Sequence, residues 1–292
     1  MTQRLSETDL ILRPDGSIYH LALRPEHLTD VILTVGDPER VARVSRYFDR
    51  IEEKITHREF HTHIGYLGNQ RLMVISTGMG TDNVEILMTE LDALANVDLT
   101  NRTVREDHRK LTIIRIGTSG SLQASEPLDS LVVGQHAFGL DTLMQFYSPM
   151  MDKKQSGWAE QLGQHLELSF TPYCASASSE LVSLLSSDMR VGNTVTCPGF
   201  YAPQARTVRL SSGIDQLLPK LTNFHFDEGS LTNLEMETAG YYALGSLLGH
   251  EVVSTNAIVA HRATGQFSAN PQKTITTLIE KVLSRLAAWS GR

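Results

Sequence analysis

Apolar, β-branched runs alternate with stretches of helical period along this chain, and that alternation predicts an α/β protein. Val31–Val35 reads as a buried strand stopping at Gly36, after which Asp37-Pro38 caps and opens a helix through Val44 and Tyr47. Ile55 to Tyr66 alternates in part, Gly68-Asn69 turns the chain, and Leu72–Ser76 returns, so this stretch predicts a hairpin. The returning strand runs into Thr77-Gly78-Met79-Gly80, and Val84, Leu87, Met88, Leu91 and Leu94 then share one helical face. A charged loop, Asp98 to Lys110, precedes a strand over Leu111–Ile116 and a glycine turn from Gly117 to Gly120.

The second half repeats the pattern. Strands are expected near Leu131–Ala137, Val191–Thr196 and Val252–Ala260, and helices near Glu180–Leu185 and Thr238–Leu248. A long amphipathic helix, Gln272 to Trp289, follows them. No Pro/Gly/Ser-rich linker and no internal repeat divides the chain. The expected organisation is one domain over residues 1–292, a three-layer α/β/α fold with a mixed central sheet.

Composition fits a protein with a full core: 292 residues, 41% hydrophobic and 20% charged. Cys174 and Cys197 are too few for a disulfide framework. Met1 to Asp15 is polar and lacks the apolar core of a signal peptide, and no apolar run approaches the ~20 residues that span a bilayer, so a cytoplasmic location is expected. A formal net charge of −7 argues against a nucleic-acid partner while leaving room for a local anion site, and the lack of a spanning run argues against a membrane partner.

Candidate chemistry gathers at strand ends, where α/β proteins bind ligands. Gly36 stands near Arg40, Gly78 beside Thr77, and Gly117 between Arg115 and Thr118. Glycine lets the backbone approach an anion, and arginine adds paired, charge-assisted hydrogen bonds. One such turn is plain chain reversal; three suggest a common oxyanion. Farther on, Phe200-Tyr201-Ala202-Pro203-Gln204-Ala205-Arg206 sets an amide and a guanidinium two residues apart behind an aromatic pair. An amide both donates and accepts, so Gln204 suits the adjacent N–H and C=O of a pyrimidine, with Arg206 donating to another carbonyl and Phe200 as an apolar wall.

In order and spacing the chain resembles the uridine phosphorylases of the nucleoside phosphorylase family. The matching blocks are Tyr19-His20-Leu21-Ala22-Leu23, Gly36-Asp37-Pro38-Glu39-Arg40, His57-Arg58-Glu59-Phe60, Ser76 to Gly80, Arg115 to Gly120, Phe200 to Arg206 and Asn233-Leu234-Glu235-Met236-Glu237. The resemblance implies phosphorolysis of uridine to uracil and ribose 1-phosphate, with inorganic phosphate as co-substrate and no required cofactor. It implies that Gly36, Arg40, Arg115 and Thr118 hold phosphate, joined by Arg58 of a neighbouring subunit. Glu237, the Met236 main chain and the neighbour's His20 would hold the ribose; Phe200, Gln204, Arg206 and Arg262 would hold the base. Arg206, Glu237 and Arg115 would carry the catalysis. Shared sites imply a homodimer, and the family also assembles trimers of dimers.

Two departures stand out. Bacterial relatives carry a small Ser-containing turn where this chain has Thr81-Asp82-Asn83, so a structural potassium ion would fall to Glu59, the Met79 carbonyl and Asn83, while Asp82 reads as a helix cap. Purine-specific relatives place an aspartate where His261-Arg262 stands, which favours a pyrimidine. The alternative is a purine or broad-specificity nucleoside phosphorylase. Other chemistries fit less well. Gly78-Met79-Gly80 lacks the third glycine of a dinucleotide loop, and His57, His61 and His63 lack a fourth zinc ligand. Glu235 and Glu237, on one face of a strand, suit a two-carboxylate glycosidase, but the arginines argue for phosphate over water.

Overall fold

A computed structural model describes residues 4–148 and 151–289; the first three residues of the polar N-terminal stretch lie outside them. The fully buried run Val31–Val35 forms β1, and Asp37 caps α1 (Pro38–Ser45) by accepting the Glu39 amide N–H. An antiparallel meander follows, β2 (Arg50–His57), β3 (Phe60–Leu67) and β4 (Gln70–Ser76), leading to α2 (Thr81–Asn96). Next come a two-stranded ribbon, β5 (Val97–Asp98) with β6 (Thr103–Val104), and the long strands β7 (Thr112–Ser121) and β8 (Leu131–Gly139). The second half adds α3 (Lys153–His165), β9 (Tyr173–Ser176), α4 (Ser179–Leu185), β10 (Arg190–Thr196), α5 (Leu217–Asn223), β11 (His225–Phe226) and β12 (Gly229–Glu235). Helix α6 (Thr238–Leu248), β13 (Glu251–His261), β14 (Gln266–Phe267) and α7 (Pro271–Ala288) complete it.

The mixed sheet runs β11-β12-β10-β8-β13-β7-β1-β4-β3-β2. It also closes partly on itself, because β12 pairs with β7 as well as with β10, through Asn233↔Ser121 and Leu234↔Gly120. Alternation along the strands divides the core. Ile32, Met73, Ile75 and Ile113 pack toward α2 and α6, while Val31, Leu33, Val35, Leu72, Val74 and Ile114 pack toward α1, α4 and α7. A third cluster, around Phe138, Trp158, Leu162 and Phe224, joins α3 and α5 to the closed end. This is the expected mixed sheet between helical layers. No helix of the described residues is long and apolar enough to cross a membrane.

Several local expectations are corrected. The stretch from Ile55 to Tyr66 is two strands broken at Arg58-Glu59, where Arg58 takes φ 53°, a turn that no glycine or proline announces. Gly117 to Gly120 is not a turn but the interior of β7. Gly80, not Asp82, is the N-cap of α2, and Asp82 lies in the first helical turn. The charged stretch from Asp98 to Lys110 is not loop throughout: it contains β6, and Arg102 donates to the Leu10 carbonyl while its own carbonyl accepts the Leu5 amide N–H, tying down the N-terminal segment.

Tyr242 of α6 binds two strands together, donating to the Gly134 carbonyl at 2.7 Å and accepting the Ser254 N–H at 3.0 Å, all buried. Removing the hydroxyl orphans both groups. Tyr242→Phe is expected to lower unfolding stability by about 2–4 kcal/mol in urea titrations at fixed protein concentration. A change below about 0.5 kcal/mol would show that the bridge contributes nothing net.

Candidate active site

Three strand ends open on one cleft of about 460 Å³, lined by Gly36, Arg40, Gly78, Met79, Arg115, Thr118, Phe200, Gln204, Arg206, Met236 and Glu237. Parallel pairing sets their levels: β1 lies between β4 and β7, with Val35 opposite Ser76 and Thr34 opposite Arg115. Gly36 and Gly78 therefore emerge side by side, and a Cβ added at Gly36 would lie 3.3 Å from the Gly78 carbonyl. Strand β7 continues past its neighbour and carries Thr118 into the opening.

Arg115 is buried at the centre. Its Nη2 lies 2.5 Å from Glu237 and 3.1 Å from Glu235, and its Nη1 donates to Ser254 (3.1 Å) and Asn256 (3.0 Å). Burial opposes its charge, but the two carboxylates outweigh that and raise its pKa. Glu237 shifts upward through burial, with the Glu235 charge adding and Arg115 opposing; its other oxygen accepts the Gly80 N–H at 2.8 Å. Glu235 is held in turn by the Thr196 hydroxyl (2.6 Å) and by the amides of Glu237 and Thr238. The two glutamates do not alternate on one strand, since β12 ends at Glu235 and Glu237 is the N-cap of α6.

Arg40 differs from Arg115 in being underused. It donates to the Ile116 carbonyl at 3.2 Å, and its Nε is buried with no partner among the described residues. Burial, with the nearby Arg115 charge, lowers it to about 10, which leaves it charged at neutral pH. Its Nη2 makes no hydrogen bond among the described residues, which leaves a charged donor for an anion in the cleft.

At the other end, Gln204 is buried and Ala205 takes φ 55°. That left-handed step lets Arg206 fold back, so its Nη1 donates to the Phe200 carbonyl (2.7 Å) and to the Gln204 amide oxygen (2.5 Å). The Gln204 NH2 then remains to donate to a ligand carbonyl. Phe200 is half exposed, and the Arg206 guanidinium lies 3.8 Å from its ring centroid, so one face of the expected apolar wall is taken by the arginine. Burial and the nearby Arg262 lower Arg206 to about 10.

Arg262 does not line the cleft. It donates to the Gln204 carbonyl at 2.9 Å, supporting the loop from behind. His261 accepts the Thr264 N–H at 3.2 Å and so serves its own turn. His20 and Arg58 also lie outside the cleft of their own chain, close to each other: Arg58 sits 5.4 Å from the Tyr19 ring centroid, and His57 contacts the His20 carbonyl. Glu59 reaches the cleft rim, where its side chain and that of Asn83 meet at Gly78. His63 contacts Ser45 and His57 contacts Arg13, so the local histidines diverge instead of converging on a metal. Sequence reasoning missed Ser254, Asn256 and Phe267; the first two were detectable as polar residues inside the apolar run of β13.

One cleft thus holds Arg40, with donors to spare, and the amide–guanidinium pair of Gln204 and Arg206, groups suited to an anion and to a flat heterocycle. A family model of the phosphorylase superfamily matches residues 30–288, and the chain belongs to that superfamily. A uridine phosphorylase of Thermococcus kodakarensis is 27% identical over 278 residues, covering 94% of this chain and 88% of the relative. A DeoD-type purine nucleoside phosphorylase of Streptococcus suis is 25% identical over 242 residues, 82% of this chain and 84% of the relative. The solved Trypanosoma brucei nucleoside phosphorylase, described as showing uridine phosphorylase activity, has a TM-score of 0.87 at 27% identity and covers 96% of this chain and 100% of that one.

Gly117 explains how Arg115 keeps its place. Residues two apart share a strand face, and a Cβ at Gly117 would lie 2.0 Å from Arg115 Nη1. Gly117→Ala is expected to push Arg115 off its carboxylates and cut kcat/KM by about 100-fold or more in steady-state assays. Retention of activity within threefold would show that the guanidinium position is not critical.

Proposed function

We propose that this chain is a uridine phosphorylase, in which inorganic phosphate attacks the anomeric carbon of uridine and releases uracil and ribose 1-phosphate. The observation that carries this reading is the buried Gln204 and its partner Arg206, in the same cleft as Arg40, whose Nη2 has no partner among the described residues. As a phosphate oxygen bonds to C1′, the C1′–N1 pair leaves with the base. Negative charge grows on the uracil carbonyls, and the donors of Gln204 and Arg206 oppose it. The sugar becomes cation-like between phosphate and base, and Glu237 fixes its hydroxyls beside the Met236 main chain.

Phosphate binding falls to Gly36, Arg40, Arg115 and Thr118. Charge counting supports a further cation from outside the chain. Arg40, Arg115 and Arg206 face Asp37, Glu59, Glu235 and Glu237 in the cleft lining, so a phosphate dianion would leave the cleft strongly negative. Arg58 of a second copy supplies the missing charge, and the nearby His20 accompanies it to the ribose 5′-hydroxyl. The enzyme is therefore a homodimer with shared sites, acting in pyrimidine nucleoside salvage or catabolism in the cytoplasm. Glu59, the Met79 carbonyl and Asn83 offer oxygen donors suited to a potassium ion near the rim.

Release of free base from uridine and from inosine, each with and without phosphate, tests the reading. Uracil release that requires phosphate is expected. Release from inosine alone would reassign the base pocket to purines, release without phosphate would make the enzyme a hydrolase, and no release from either would leave a binding protein.

A further inference from the structure

Glu90, on α2, grips the segment that carries His20. Its oxygens accept the His20 N–H at 3.1 Å each and the Leu21 N–H at 2.9 Å, and His20 Nδ1 lies 2.6 Å from Oε1. An ionised carboxylate only accepts, so Nδ1 carries a proton and Nε2 is the ring nitrogen left for another partner. Among the described residues no hydrogen bond reaches Nε2.

The other side of His20 is held as well. His57 Nδ1 lies 2.9 Å from the His20 carbonyl, and His57 Nε2 lies 2.8 Å from Arg13 Nη1. Arginine only donates, which makes Nε2 of His57 the acceptor and Nδ1–H the donor to His20. The next residue but one, Ala22, takes φ 54°, so the backbone turns away sharply after the grip. His20 is thus fixed at its amide, its ring and its carbonyl. Anchoring the N-terminal segment to α2 accounts for the two amide bonds but not for the ring contact, which fixes tautomer and orientation instead.

We propose that Glu90 is a positioning residue for the nucleoside: it aims His20 so that Nε2 meets the ribose 5′-hydroxyl in the neighbouring subunit's cleft. This rests on the reading of His20 as a ribose contact given above. The carboxylate does not touch substrate; it removes the freedom of a partly exposed imidazole that must cross between subunits, as ring-anchoring carboxylates do for histidine ligands.

The test compares uridine with 5′-deoxyuridine, which lacks the hydroxyl in question. In Glu90→Ala the ratio of kcat/KM for uridine over 5′-deoxyuridine is expected to fall about tenfold, the loss of one hydrogen bond, with Glu90→Gln intermediate. A purely structural role lowers both substrates alike and leaves the ratio unchanged, which overturns the proposal. His20→Ala separates the two levels. If His20→Ala lowers the ratio and the Glu90 variants do not, Glu90 has no positioning role; if His20→Ala leaves the ratio intact, the ribose reading of His20 fails and the proposal with it. Should Glu90→Ala not fold, the Glu90→Gln ratio decides on the same criterion.

Discussion

Arg115 is buried between two carboxylates, and the arrangement of the cleft depends on that cluster. Three charges out of water are tolerable only when each is fully hydrogen-bonded, and here β13 provides Ser254 and Asn256, β10 provides Thr196, and the start of α6 provides two amides. Removing one partner of such a pair typically costs about 3–5 kcal/mol. The same bonds fix Glu237 at the cleft, where the proposed reading has it meet the ribose, and leave Arg40 with donors to spare.

The sheet topology makes this meeting geometrically available. Strand β12 reaches β7 because the sheet closes on itself through Asn233 and Leu234, which brings Glu235 and Glu237 to the level of Arg115. The opposite rim is a loop whose left-handed Ala205 folds Arg206 onto Gln204 and Phe200, with Arg262 behind it. The Arg115 cluster at the strand ends and the Gln204–Arg206 loop are thus separate elements that share one cleft.

Much of the fold was legible in the sequence because burial and period agree: β1 spans Val31–Val35 and α6 spans Thr238–Leu248 as the apolar pattern predicts. The misses have particular causes. Gly117 to Gly120 carries a turn signal, yet there glycine makes room for an arginine side chain within a strand. The reversal at Arg58 uses a left-handed non-glycine residue, invisible to turn statistics. Helix α3 was missed although Asp152 and Gln155 form a capping box, because its apolar stripe is thin. The cleft residues from Gly36 to Gln204 were legible as motifs; what motifs could not carry was connectivity, such as the grip of Glu90 on His20 or the support of the base loop by Arg262.

On the proposed reading the cleft, whose three arginines are outnumbered by four carboxylates, is completed by Arg58 of a second copy. Mixing Arg40→Ala and Arg58→Ala proteins, each weak alone, under conditions that allow subunit exchange tests this most directly. Random pairing should restore about a quarter of the parent activity, because half the dimers are mixed and each of those regenerates one intact site. Activity that stays at the level of the separate variants would contradict the shared site and confine the chemistry to a single chain.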